Sequence, residues 1–185
     1  MEQLVKIKNL TKKYGKTKVA LNDVSLEINR GRIVGLLGAN GSGKTTLIKT
    51  LAGVLSIDEG EVLIDGLEIG AKTKAIVSYL PDVSYINDND KIDEIISYFM
   101  EFYDDFDEQR ARGMFERLGI DTTHKYKTLS KGTKEKVQLV MVMSRRAKLY
   151  LLDEPIAGVD PAGRDYILNT IIQNYDENAT IIICT

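Results

Sequence analysis

One stretch limits this chain more than any other. Gly38-Ala39-Asn40-Gly41-Ser42-Gly43-Lys44-Thr45 satisfies G-x-x-x-x-G-K-[ST] at every fixed position. Just before it, Ile33, Val34, Leu36 and Leu37 are nearly continuous, the pattern of a strand buried on both faces. Just after it, Leu47, Ile48 and Leu51 recur at helical spacing. A strand, a glycine loop and a helix in that order make a grip for phosphate. The glycines let backbone amides turn inward, and a helix starting near Lys44 aims the positive end of its dipole at the same point. Lys44 is expected to reach the β- and γ-phosphates of a nucleoside triphosphate, and the Thr45 hydroxyl to sit on Mg2+. The implied ligand is Mg-ATP, held by Gly38, Ala39, Asn40, Gly41, Ser42, Gly43, Lys44, Thr45 and Thr46.

A second run completes the chemistry. Leu149-Tyr150-Leu151-Leu152-Asp153-Glu154 is an apolar strand ending in two acids. Ligands of an open parallel sheet bind beyond the carboxyl ends of its strands, which places Asp153 beside the phosphates as a holder of Mg2+. Glu154, one residue on, is positioned to take a proton from an attacking water. No site for an acceptor substrate is visible, so hydrolysis is the expected reaction.

The remaining segments alternate strand and helix in the α/β manner. Val5 and Ile7 alternate with lysines, and Val24, Leu26 and Ile28 with polar residues, predicting a half-buried antiparallel sheet. Asp65-Gly66 between two apolar runs predicts a hairpin. Beyond a strand at residues 77–80, helices are predicted at about 92–102, at about 108–118 with Asp107 as cap and Gly119 as stop, and from Ser130 to about Arg146. A further helix is predicted from Asp160-Pro161 to about Tyr175, followed by a buried strand over 180–184. Tyr98, Phe99, Phe102, Tyr103 and Phe106 cluster in the helical insert, either as its core or as a docking surface.

Charge and composition remove whole classes of function. A formal charge of −2 disfavours a nucleic-acid surface. With one cysteine, Cys184, and one histidine, His124, neither an internal disulfide nor a zinc site can be built, and a reducing cytosol is the natural setting. No apolar run approaches the roughly 20 residues of a membrane span, so a membrane connection is expected to come through a partner.

Taken in order, these residues resemble the nucleotide-binding domain of an ABC (ATP-binding cassette) ATPase, over essentially the whole chain. Residues 38–45 match its Walker A loop and residues 149–153 its Walker B strand. Leu129-Ser130-Lys131-Gly132-Thr133 occupies the signature position, Asp82 the Q-loop position, and Ala157-Gly158-Val159-Asp160 resembles the D-loop. The resemblance implies a P-loop NTPase core with a mainly parallel sheet, an N-terminal antiparallel β subdomain and an inserted α-helical subdomain. The implied division is 1–80, 81–147 and 148–185 within a single domain. It implies that Tyr14 stacks on adenine, that Asp82 faces Mg2+ or its water beside Thr45 and Asp153, and that Lys44, Glu154 and Asp82 serve catalysis. It also implies ATP-driven head-to-tail pairing into a homodimer or heterodimer, with Ser130 and Gly132 binding the γ-phosphate held by the other subunit. A separate membrane permease is the implied partner, export is favoured, and the place is the cytoplasmic face of the cell membrane.

The pattern departs from the family in three places. Lys131 stands where Gly is usual and Thr133 where Gln is frequent, Asp82 replaces Gln, and the chain stops at Thr185, where the switch histidine would follow. Reduced hydrolysis by this chain is the expectation from the last departure. A nucleic-acid or ribosome-acting member of the family is the alternative, disfavoured because the stretch between Asp82 and Leu129 is too short for a long coiled coil. A P-loop GTPase or kinase is disfavoured by the lack of an Asn-Lys-x-Asp motif and by the signature residues it would leave unexplained.

Overall fold

The computed structural model describes residues 2–15, 17–156, 161–173 and 176–185. The chain divides into two compact units. The first comprises Met1–Tyr79, Ala147–Glu154 and Asp176–Thr185, and the second Leu80–Arg146 and Pro155–Tyr175.

The first unit is built on two sheets. Strands β1 (Gln3–Tyr14) and β2 (Lys18–Asn29) pair antiparallel, with Ile7 opposite Leu26, as the alternation predicts. Strand β4 (Glu59–Ile64) joins the other edge of β1, and β5 (Leu67–Glu68) returns along β4, giving the order β2-β1-β4-β5. Asp65 and Gly66 both take positive φ, 55° and 72°, which is the turn that follows the twist of a hairpin. The Asp65 carboxylate accepts from Lys148 Nζ at 2.7 Å and pairs with Arg30. The hydrogen bond from Lys148, more than any other influence, holds that carboxyl below the usual carboxylate range.

The second sheet is parallel where its register is defined. Strands β3 (Ile33–Leu36), β8 (Thr180–Cys184), β7 (Leu149–Asp153) and β6 (Val77–Leu80) lie in the order β3-β8-β7-β6. Helix α1 (Lys44–Leu51) seats Leu47, Ile48 and Leu51 in one apolar core with Val5, Ile7, Leu149, Leu151 and Ile182. Short helix α2 (Ala71–Ile76), which the periodicity does not predict, leads into β6.

One expectation fails here. Residues 32–37 read as a strand buried on both faces, yet Ile33 is 53% and Leu37 79% exposed. Among the described residues β3 pairs with β8 alone and stands at the sheet's edge, so apolar content on that strand is not matched by cover.

The second unit is helical. Helix α3 (Ile92–Phe102) buries Ile92, Ile95, Ile96 and Phe99. Helix α4 (Glu108–Arg117) starts where Asp107 Oδ1 accepts from Arg110 N at 3.0 Å and ends before Gly119 at φ 64°. Helix α5 (Lys131–Met143) starts at Ser130, whose Oγ accepts from Thr133 N at 3.2 Å, and buries every residue from Val137 to Met143. It stops short of the predicted Arg146. Arg145 leaves the helix to grip Asp105 through two hydrogen bonds of 2.8 and 3.1 Å, its guanidinium 3.8 Å over the Tyr103 ring. Helix α6 (Pro161–Gln173) follows. The proposed cap Asp160 and the D-loop resemblance at 157–160 lie outside the described residues. Among the described residues no helix is long and apolar enough to cross a membrane.

Candidate functional site

The glycine loop has a shape that its residues dictate. Gly41 and Gly43 take φ of 82° and 96°, in the left-handed region that side chains resist. A Cβ at position 43 would also come within 2.5 Å of the Ala20 carbonyl oxygen, so glycine alone fits there. Ser42 N donates to Ala39 O at 3.1 Å, which folds the loop over itself. Lys44 Nζ donates to the carbonyls of Gly38 at 2.7 Å and Ala39 at 3.2 Å, so its charge sits inside the loop. Helix α1 begins at Lys44, and its first-turn amides have no partner within the helix. A cation, free amides and a dipole end converge on one spot, an arrangement suited to an anion.

The two acids meet this loop from β7. Asp153 is enclosed, and its Oδ1 accepts from Thr45 Oγ1 at 3.1 Å. Its Oδ2 is buried with no hydrogen-bond partner. A buried carboxylate oxygen left without a donor is costly unless something positive completes it. Among the described residues no group of three or more His, Cys, Asp or Glu is arranged to hold a metal ion. One hydroxyl and one carboxylate is instead the donor set for a hard divalent cation that takes its remaining ligands from phosphate and water, so these residues fit Mg2+. Cys184, opposite Asp153 across the parallel pair, is fully enclosed. Burial, and then the neighbouring Asp153 carboxylate, push its thiol up to about 11.

Glu154 holds an unusual backbone state for a residue outside a turn dipeptide such as Asp65-Gly66. Its φ is 52°, and its amide donates to Cys184 O at 3.0 Å. A non-glycine residue in this region carries strain of about 1–2 kcal/mol, and such strain collects at functional positions.

A cavity of about 240 Å³ opens in front of the loop, lined by Tyr14, Lys18, Ala20, Asn40, Gly41, Gly43, Lys44, Thr45, Thr46 and Glu154. Tyr14 Oη lies 3.5 Å from Thr46 Oγ1, with the ring partly exposed at the rim. The first unit therefore brings together Tyr14, residues 38–46, Asp153 and Glu154. Asp82, Ser130 and Gly132 belong to the second unit. Lys18 and Ala20 were missed by sequence reasoning. The available signal was the tight return after Tyr14, which sets Lys18 directly opposite it in the sheet.

The second unit holds a groove of about 260 Å³, lined by Tyr85, Ile86, Asp90, Tyr98, Phe99 and Phe102 among others. The aromatic cluster divides between a buried core and an exposed groove wall. Phe99 is buried against Tyr103 and Phe106, with ring centroids 5.4 and 5.5 Å away, while Tyr98 is 50% and Phe102 74% exposed.

Comparison with known proteins gives a concordant answer. Residues 21–157 match the family model described as ABC transporter. The chain is 35% identical to the ABC transporter ATP-binding protein YtrB of Bacillus subtilis over 98% of its own length, spanning 63% of that relative. It is 32% identical to the lipopolysaccharide export system ATP-binding protein LptB of Escherichia coli, covering 96% of this chain and 82% of LptB. Among solved structures, a putative ABC transporter ATP-binding protein from Pyrococcus furiosus superposes with a TM-score of 0.83 at 27% identity, over 98% of this chain and 90% of the other. Matched by the family model and aligned with these relatives along almost its whole length, the chain belongs to the ABC transporter family as an ATP-binding protein.

Proposed function

We propose that the chain binds and hydrolyses Mg-ATP to power transport through a separate membrane permease, as one of two head-to-tail cassettes on the cytoplasmic face of the membrane. The observation that carries this reading is the Thr45–Asp153 contact at the mouth of the glycine loop, with Asp153 Oδ2 buried and unpartnered. Lys44 neutralises charge on the β- and γ-phosphates, Thr45 and Asp153 hold Mg2+, and Tyr14 stacks on adenine. Mg2+ supplies charge neutralisation at the phosphates when bound. Glu154 takes the proton of a water whose oxygen bonds to the γ-phosphorus as the bond to the bridging oxygen breaks.

Ser130 and Gly132 act on the ATP of the other cassette. Gly132 supports this role by exclusion. Its φ is not in the left-handed region, and a Cβ there would meet nothing within 4 Å, so the chain's own packing does not demand glycine. Close approach of another molecule would. Asp82 is assigned to the Mg2+ water by position in the chain. Export is the favoured direction, because the Escherichia coli relative is named for an export system.

The groove at Tyr98 and Phe102 receives a cytoplasmic segment of the permease. Tyr103 is a poor probe of it, because its ring stacks on Phe99 and Arg145. The double change Tyr98→Ala with Phe102→Ala is expected to weaken co-purification with the permease by at least about tenfold and to leave ATP affinity unchanged. Unchanged co-purification would rule out this surface.

A further inference from the structure

The groove loop and the turn that carries Ser130 are joined by one side chain. Tyr126, in the 3-10 turn Tyr126–Thr128, is almost wholly enclosed. Its hydroxyl lies 3.1 Å from Ser84 Oγ and 3.4 Å from the Lys134 carbonyl in the second turn of α5. Its own amide donates to Asp90 O at 2.8 Å, and the next amide, of Lys127, donates to Asp88 O at 2.8 Å. Lys134 Nζ closes the ring, 2.7 Å from Asp88 Oδ1 and 4.8 Å from the centre of the Tyr126 ring. On one side of this hub stand Tyr85, Ile86, Asn87 and Asp90 of the groove wall. On the other stands Ser130, which caps the same first turn of α5 that leads to Lys134.

We propose that Tyr126 is a positioning residue that makes the groove loop at 84–90 and the Ser130 turn at 125–134 move as one body, so that what occupies the groove sets where Ser130 and Gly132 lie. This rests on the roles given above to the groove and to Ser130. The coupling is steric and short. Two backbone bonds fix the distance between the segments, and the tyrosine hydroxyl fixes their tilt. A loop held only by its backbone bonds could hinge about them, whereas a third, off-axis link removes that freedom. The Asp88–Lys134 pair, with Asp88 63% and Lys134 27% exposed, contributes the smaller part, as ion pairs reached by water do.

The test uses the whole chain carrying Tyr126→Phe, which keeps the buried ring and removes both hydroxyl contacts. Amide hydrogen exchange at 84–90 and at 125–134 is expected to quicken together, by about fivefold, while α4 is unchanged. The kcat for ATP should fall by about fivefold with KM for Mg-ATP within about twofold of wild type, because the glycine loop is untouched. Ser84→Ala, which alters no core residue, should reproduce a weaker form of both effects and serves if Tyr126→Phe folds poorly. Faster exchange in one segment alone, or no change in either, overturns the proposal, as does a change confined to KM. Absence of turnover in the wild-type chain would instead overturn the hydrolytic reading, and the exchange measurement would still decide the clamp.

Discussion

Glu154→Gln is expected to keep Mg-ATP binding within a few-fold and to slow hydrolysis by about 10²–10⁴-fold, the usual worth of a positioned general base. Glutamine preserves size and hydrogen-bonding reach but cannot take the proton. The backbone makes the prediction sharper. Glu154 sits at φ 52°, held there by its amide's bond to Cys184 O at the end of β8. Glycine at this position would relieve about 1 kcal/mol of strain. Glu154→Gly should therefore melt above wild type while hydrolysing no better than Glu154→Gln. A Glu154→Gln chain that turns over ATP at the wild-type rate would remove Glu154 from the chemistry. A Glu154→Gly chain that melts below wild type would mean the strain is absent.

Gly43→Ala should be the most damaging single methyl in the glycine loop. The new Cβ would lie 2.5 Å from the Ala20 carbonyl oxygen and 3.1 Å from Leu21 Cδ2, on a residue whose φ is 96°. Neither β2 nor the first residue of α1 can move without shifting the apolar core behind them. A loss of about 2–4 kcal/mol of stability is expected, with ATP binding lost even where the fold survives, because the loop amides no longer converge. Gly41→Ala is the control. Its φ of 82° is also unfavourable, but nothing lies within 4 Å of the added Cβ, so the milder effect belongs to it. Thermal melts and ATP titrations of the pair give the order, and a reversed order would contradict the loop geometry.

The glycine loop was legible from its residues because each fixed position answers a local demand: turn, close approach, charge, hydroxyl. Helix starts were legible for the same reason. Asp107 and Ser130 cap α4 and α5 through their own side chains, a property that sequence carries without knowledge of neighbours. The Asp65-Gly66 turn is a third case. What local pattern does not encode is partnership. Ile33 and Leu37 look like core residues, but their burial depends on what stands beside β3. Arg145 looks like the last turn of a helix until Asp105 and Tyr103, far back in the chain, offer it a better place. Helix α2 is too short to show a period. Lys18 carries no motif and joins the cavity only because the hairpin returns it beside Tyr14. Glu154 was recognisable as an acid after an apolar strand, while its left-handed backbone was invisible, since glutamate is not a residue that favours it.

Calorimetric titration of ATP into wild-type and Lys44→Ala chains, each with and without Mg2+, decides whether residues 38–45 and Asp153 form one Mg-ATP site. One ATP per wild-type chain is predicted, with affinity about 10- to 100-fold weaker in Lys44→Ala, the worth of charge-assisted bonds to phosphate. Removing Mg2+ should weaken binding to wild type as well. Equal affinity in the two chains, or no heat of ATP binding in the wild type, would contradict the account.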